Sequence, residues 1–203
     1  MTDFGLYLVM TDPLVGYEKL AEIAVGCGVR VIQLRMKHAR RGDVLNVARA
    51  VRRVTEAGDT LFIVNDDPEI ACEARADGVH VGQDDMPPSE IRRRYPELKY
   101  VGLSTHSPAQ VVAANGEPVD YIGVGPVYAT PTKDIPDPVL GLETMSEMIA
   151  LSAHPAVAIG GIDIFRLPEV KKAGAKNFAL VRAVCASADP RKAIKELNGV
   201  FNA

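Results

Sequence analysis

The sequence predicts a (β/α)8 barrel of a single domain spanning residues 1–203, and three observations predict it. Short apolar runs and helical patterns alternate strictly, eight of each, at about 25 residues per unit. The strand runs are apolar almost throughout, as when both faces of a parallel sheet are buried. Polar and charged residues collect just after these runs, where a barrel carries its active site. An open doubly wound sheet is the alternative, but it usually places a glycine-rich phosphate turn after its first strand. Here the first strand runs into Thr11-Asp12-Pro13.

The first strand is Leu6–Val9. Helical spacing of Leu20, Ile23, Ala24 and Cys27 follows from Tyr17, and Gly28 stops it. Val31–Leu34 is the second strand, and Val44 to Val54 the second helix, closed by Gly58. Leu61–Val64 precedes a short helix from Glu69 to Arg75. Gly78–Val81 precedes a helix from Ser89, a candidate N-cap, to Tyr95. Tyr100–Leu103 leads into Ser107–Asn115, with Pro108 in its first turn. Tyr121–Val124 is followed by a proline-rich loop from Gly125 to Gly141, with the character of a lid. The helix Leu142–Leu151, the strand Ala156–Ile159, the helix Arg166–Ala173, the strand Asn177–Val181 and a last helix from Asp189 to Val200 complete the alternation.

Composition narrows the function. Of 203 residues, 47% are hydrophobic and 24% charged, enough for a sizeable core and inconsistent with overall disorder. A net charge of −3 argues against general nucleic-acid binding, so any anion site must be a local basic cluster. No run approaches membrane-spanning length, and Met1–Gly5 lacks the pattern of a secretory leader. The three cysteines, Cys27, Cys72 and Cys185, form no Cys-x-x-Cys pair. A cytoplasmic compartment is the expectation, with self-association left open.

The strand ends carry the chemistry. Gln33, Arg35 and Lys37 alternate along an extended segment and are expected to point the same way, giving donors for a polyoxygen anion such as a diphosphate. The same spacing fits a salt-bridged rim in which Arg35 pairs with Asp66 or Asp85. Asp66 and Asp85 end adjacent strands and could hold Mg²⁺ through a few oxygens, with substrate phosphate supplying others. Helix capping is the competing account, strong for Asp67 and for one of Asp84 and Asp85. Gly160-Gly161 offers backbone N–H groups to a phosphate or marks a tight turn. Arg182, at the end of the next strand, adds charge there or is a surface residue. Thr130, Thr132 and Lys133 sit on the proline-rich loop and could bind an anionic group. His106 is a possible acid or base, though a hydrogen-bonding role fits it better. His80 is expected to be packed within its strand, and Cys185 to be packing.

Seven segments together resemble the thiamine-phosphate synthase family, from Leu6 to the last helix. They are Leu6–Asp12, Gln33–Lys37, Asn65-Asp66, Ala76–Pro87, Gly102–His106, Gly123–Lys133 and Ala158–Ile162. The resemblance implies condensation of 4-amino-2-methyl-5-hydroxymethylpyrimidine diphosphate with a thiazole phosphate. The products are thiamine phosphate and pyrophosphate, plus CO2 from a carboxylated thiazole. It implies that Gln33, Arg35, Lys37 and Asn65 hold the pyrimidine diphosphate, and that Asp66 and Asp85 bind Mg²⁺. Ser104 would contact the pyrimidine or the leaving diphosphate, and Lys133 the diphosphate. Thr130, Thr132, Gly160, Gly161 and the backbone of Val181-Arg182 would hold the thiazole phosphate. Arg182 departs from the serine that many members carry. Rival readings are a thiazole tautomerase using His106, a non-catalytic barrel binding a phosphate ligand, and a sugar-phosphate isomerase.

Overall fold

The computed structural model describes residues 3–130 and 137–202. Eight parallel strands close into one barrel in sequential order: β1 (Gly5–Met10), β2 (Val31–Leu34), β3 (Leu61–Asn65), β4 (Gly78–Val81), β5 (Tyr100–Thr105), β6 (Tyr121–Val124), β7 (Ala156–Ile159) and β8 (Asn177–Leu180). The first and last strands pair in register, Gly5 with Asn177 and Leu8 with Leu180. Between and after them lie α1 (Tyr17–Gly26), α2 (Arg41–Thr55), α3 (Pro68–Glu73), α4 (Pro88–Arg94), α5 (Pro108–Ala114), α6 (Gly141–Leu151), α7 (Leu167–Lys172), α8 (Arg182–Cys185) and α9 (Pro190–Asn202). Among the described residues no helix is long and apolar enough to cross a membrane.

The expected alternation is therefore present, with local corrections. The fourth helix begins at Pro88 with Pro87 as its N-cap, not at Ser89, because proline fits the first helical turn without a lost N–H bond. Strand β8 stops at Leu180, and the four-residue α8 is an additional element among the described residues. Arg182 therefore opens a helix rather than ending a strand. Ser107 is the N-cap of α5, its side chain accepting the Gln110 N–H, and Pro108 stands in the first turn as expected.

Period-two alternation sorts the strands into two cores. Leu6, Leu8, Ile32, Phe62, Val79, Val101, Ile122 and Phe178 face the helices in the larger one. Tyr7, Val9, Val31, Ile63, Tyr121, Val157 and Ala179 fill the barrel itself. The seam at the N-terminal end is tied by Asn177, 2% exposed. Its Oδ1 accepts from Phe4 N–H at 2.7 Å and Gly5 N–H at 3.2 Å, while its Nδ2 donates to Ala156 O at 3.3 Å.

Two glycines make room for rings inside the barrel. A Cβ on Gly102 would lie 2.2 Å from Tyr121 Cζ and 2.4 Å from His80 Nδ1, and one on Gly123 would touch His80. Gly102→Ala is expected to destabilise the fold by about 1–3 kcal/mol, as overpacking does, because the ring pair must shift. Chemical denaturation of the variant against the parent protein checks this.

Candidate functional site

At the C-terminal ends of the strands the barrel opens into a cavity of about 1050 Å³. Inward-facing positions put Gln33, Asn65, His80 and Ser104 into its wall from β2, β3, β4 and β5. Arg35 joins them from just beyond β2, where its N–H still bonds Met10 O at 3.0 Å. Across the cavity, Gly160, Gly161, Val181 and Arg182 form the opposite lining, with Thr130 and Arg166. Thr132 and Lys133 lie outside the described residues.

The three alternating residues of the second strand do not stay together. Gln33 is buried inside the barrel and Arg35 lines the cavity. Lys37 stands at the rim, 43% exposed, with Nζ 2.6 Å from Asp66 Oδ2. The extended conformation ends at Leu34, so the alternation no longer governs Lys37. Among the described residues it is Lys37, and not Arg35, that pairs with Asp66.

Asp66 sits in an unusual backbone. Its φ is 64°, and Asp67 N–H bonds Asn65 O at 2.8 Å across it, closing a three-residue turn. Its own N–H bonds His80 O at 2.8 Å, fixing the turn to β4. Asp67 is the N-cap of α3, its carboxylate accepting Ile70 N–H at 2.8 Å. The capping account therefore holds for Asp67 and leaves Asp66 to another use. On the neighbouring strand's loop, Asp85 Oδ2 accepts Gly82 N–H at 2.7 Å, whereas Asp84 is exposed. Burial pushes the Asp85 carboxyl upward, and the adjacent Asp66 carboxylate pushes the same way; the Gly82 bond and the Lys37 charge oppose them. Two carboxylates set against each other in this way fit a divalent cation. They could supply two protein ligands and leave other positions for water and substrate oxygens, the usual manner of Mg²⁺.

The opposite corner is shaped by backbone. Gly160 and Gly161 have φ of 100° and 62°, and a Cβ on either would strike the Pro126–Ala129 segment at 2.5–2.7 Å. The tight-turn account of this pair is thus true, and the turn also borders the cavity. Arg166, read from the sequence only as a helix start, extends its Nη1 to Gly161 O at 2.7 Å and stacks 4.7 Å from the centre of the Tyr128 ring. Arg182 is exposed at the mouth.

His106 bonds its own surroundings. Its Nδ1–H donates to Gly125 O at 2.6 Å, and its backbone N–H donates to Gln110 Oε1 at 2.6 Å. This matches the hydrogen-bonding role expected of it. Cys185 is packed, with Sγ 3.4 Å from Val9 O, and burial pushes its thiol up to about 11.

His80 corrects the sequence reading. It faces the cavity, with Nε2 2.9 Å from Ser104 Oγ and Nδ1 3.2 Å from Tyr121 Oη. Tyr121 in turn meets Tyr7, whose hydroxyl receives a bond from Gln33 Nε2. The available signal was a polar residue between two apolar ones, Val79 and Val81, in a strand with both faces buried. Burial holds the Tyr7 and Tyr121 hydroxyls well above the usual tyrosine range. In the unfolded chain each ionises near pH 10, so their contribution to stability is intact below about pH 10 and is lost as pH rises beyond it. Absorbance titration is expected to show these two tyrosines ionising only together with alkaline unfolding.

Residues 6–184 match the family model described as thiamine monophosphate synthase. A thiamine-phosphate synthase of Laribacter hongkongensis is 38% identical, over 97% of this chain and 95% of that protein. One from Gloeobacter violaceus is 44% identical over 91% of this chain, which spans 54% of that protein's length. A solved structure of thiamine phosphate pyrophosphorylase from Pyrococcus furiosus superposes with a TM-score of 0.90 at 31% identity, covering 99% of this chain and 96% of that one.

Proposed function

Because this chain belongs to the thiamine monophosphate synthase family, whose members are transferases, we propose that its cavity joins 4-amino-2-methyl-5-hydroxymethylpyrimidine diphosphate to a thiazole phosphate. The products are thiamine phosphate and pyrophosphate, and CO2 where the thiazole carries a carboxylate. One observation carries the residue assignment: a single cavity has a donor-rich wall and, opposite, a glycine turn with arginines, while Asp66, set against Asp85, directly follows the wall residue Asn65 without itself lining the cavity. Two anionic substrates need two such corners.

On this reading Gln33, Arg35, Asn65 and Ser104 hold the pyrimidine diphosphate, with Lys37 and Lys133 added from the rim and the loop. Gly160, Gly161, Val181, Arg182, Thr130 and Thr132 receive the thiazole phosphate, in the position after strands seven and eight where barrels often bind phosphate. Asp66 and Asp85 would hold Mg²⁺, which when bound supplies positive charge against the departing diphosphate.

The chain's own residues then do three things. Arg35, Lys37 and Lys133 take up diphosphate charge as the C–O bond of the pyrimidine methylene breaks. The ring's amino group stabilises the cation left behind, so no protein nucleophile is required. The opposite corner holds the thiazole so that its nitrogen lies near that carbon and forms the new C–N bond, and the largely apolar cavity wall disfavours attack by water. The reading extends to one cytoplasmic catalytic domain acting on small molecules, without nucleic-acid or membrane partners.

The test is pyrophosphate release with both substrates, with Mg²⁺ and then with a chelator. Release that needs both substrates and the metal, with thiamine phosphate formed, is expected. Thiazole isomerisation without the pyrimidine diphosphate would instead support a tautomerase. Tight product binding without turnover would support a binding protein.

A further inference from the structure

A continuous hydrogen-bonded chain crosses the barrel interior between two candidate substrate-binding side chains. Gln33 Nε2 donates to Tyr7 Oη at 2.9 Å. Tyr7 Oη lies 2.9 Å from Tyr121 Oη, and Tyr121 Oη lies 3.2 Å from His80 Nδ1. His80 Nε2 lies 2.9 Å from Ser104 Oγ. Five residues on β2, β1, β6, β4 and β5 take part.

We infer that this chain has one direction, set at Gln33, and that Tyr7, Tyr121 and His80 are positioning residues that turn the Ser104 hydroxyl into a hydrogen-bond donor toward the cavity. An amide nitrogen can only donate, so Tyr7 Oη accepts from Gln33. The Tyr7 proton is left needing an acceptor in a desolvated site, and Tyr121 Oη provides it. The Tyr121 proton then points to His80 Nδ1, which must be the unprotonated nitrogen. A neutral His80 therefore carries its proton on Nε2 and donates to Ser104 Oγ. Ser104 Oγ accepts that bond with one lone pair, and its own proton is left to point into the cavity. Both tyrosines are buried, and burial keeps their hydroxyls protonated, so the chain stays intact through the neutral range.

The consequence is a specificity rule. The atom that gains most from Ser104 is an acceptor, such as a ring nitrogen or a diphosphate oxygen; a ligand presenting N–H there leaves the Ser104 proton without a partner and binds less well. This rests on the reading of Ser104 as a substrate contact in the proposed reaction, whereas the tautomer of His80 does not.

The test begins with the unmodified protein. ¹⁵N NMR of histidine-labelled protein, with His80 assigned by the signals missing from His80→Asn, should show a single neutral Nε2–H tautomer. An Nδ1–H tautomer or a persistent imidazolium at neutral pH would overturn the inference. Kinetics supply the second measurement. Tyr121→Phe removes the donor to Nδ1 and should give mixed His80 tautomers. It should also lower kcat/KM for the pyrimidine diphosphate by about tenfold, the scale of one hydrogen bond, with KM for the thiazole phosphate unchanged. Ser104→Ala should give a similar loss while His80 keeps its tautomer, and the double variant should be no worse than Ser104→Ala alone. Additive losses, or unchanged kinetics in a folded Tyr121→Phe, would overturn the positioning role. Absence of thiamine-phosphate formation by the parent protein would instead count against the proposed reaction, and the NMR result would still decide the direction of the chain.

Discussion

Asp66→Asn is expected to lower Mg²⁺-dependent turnover by on the order of a thousandfold, the equivalent of about 4 kcal/mol of lost charge stabilisation, while the barrel stays folded. Asparagine keeps the shape of the side chain and removes its charge, so the loss reports on cation binding and not on packing. The ion pair with Lys37 disappears too, but with Lys37 43% and Asp66 26% exposed it contributes no more than about 1 kcal/mol to stability. The measurement is initial rate against Mg²⁺ concentration, alongside circular dichroism. A folded variant whose Mg²⁺ dependence matched that of the parent would remove Asp66 from the metal site.

Arg35→Ala is the second large effect. Arg35 is the cavity-lining arginine on the wall assigned to the diphosphate, whereas Lys37 lies at the rim with Asp66. Losing a charged hydrogen bond to the leaving group should cost about 1.5–3 kcal/mol, a roughly ten- to hundredfold fall in kcat/KM for the pyrimidine diphosphate. Arg35→Lys should recover only part of it, because an ammonium cannot reproduce a two-pronged contact. Equal losses toward both substrates would show a general distortion of the cavity and sink the assignment.

The architecture was legible because parallel strands buried on both faces leave apolar runs that helices cannot imitate when glycines and capping residues divide them. The end of the barrel that carries chemistry was legible for a related reason. Gln33, Asn65, Ser104 and Gly160 each interrupt or follow an apolar run on the same side, and all four reach the cavity. The inward face of the strands was less legible. Tyr7 and Tyr121 have apolar rings and read as ordinary strand residues, although their hydroxyls meet at the centre of the barrel. His80 was hidden by the same double burial, since apolar neighbours on both sides suggest packing whichever way the imidazole points. Lys37 lies past the end of β2, where alternation no longer fixes a side chain's direction, so its ion pair with Asp66 left no trace in the spacing. The helix α8 has four residues, too few to show a period. Arg166 reached the cavity mouth through a loop path that no local pattern encodes.

The turn at Asp66 has a consequence for how robust this protein can become. A side chain held at a φ of 64° costs about 1–3 kcal/mol that glycine would not incur. On the proposed metal assignment, the barrel forgoes thermal tolerance at the position that presents a carboxylate to the cation. A laboratory selection for heat resistance alone would be drawn to this residue and is expected to exchange Asp66 for glycine, gaining melting temperature while giving up the proposed metal ligand.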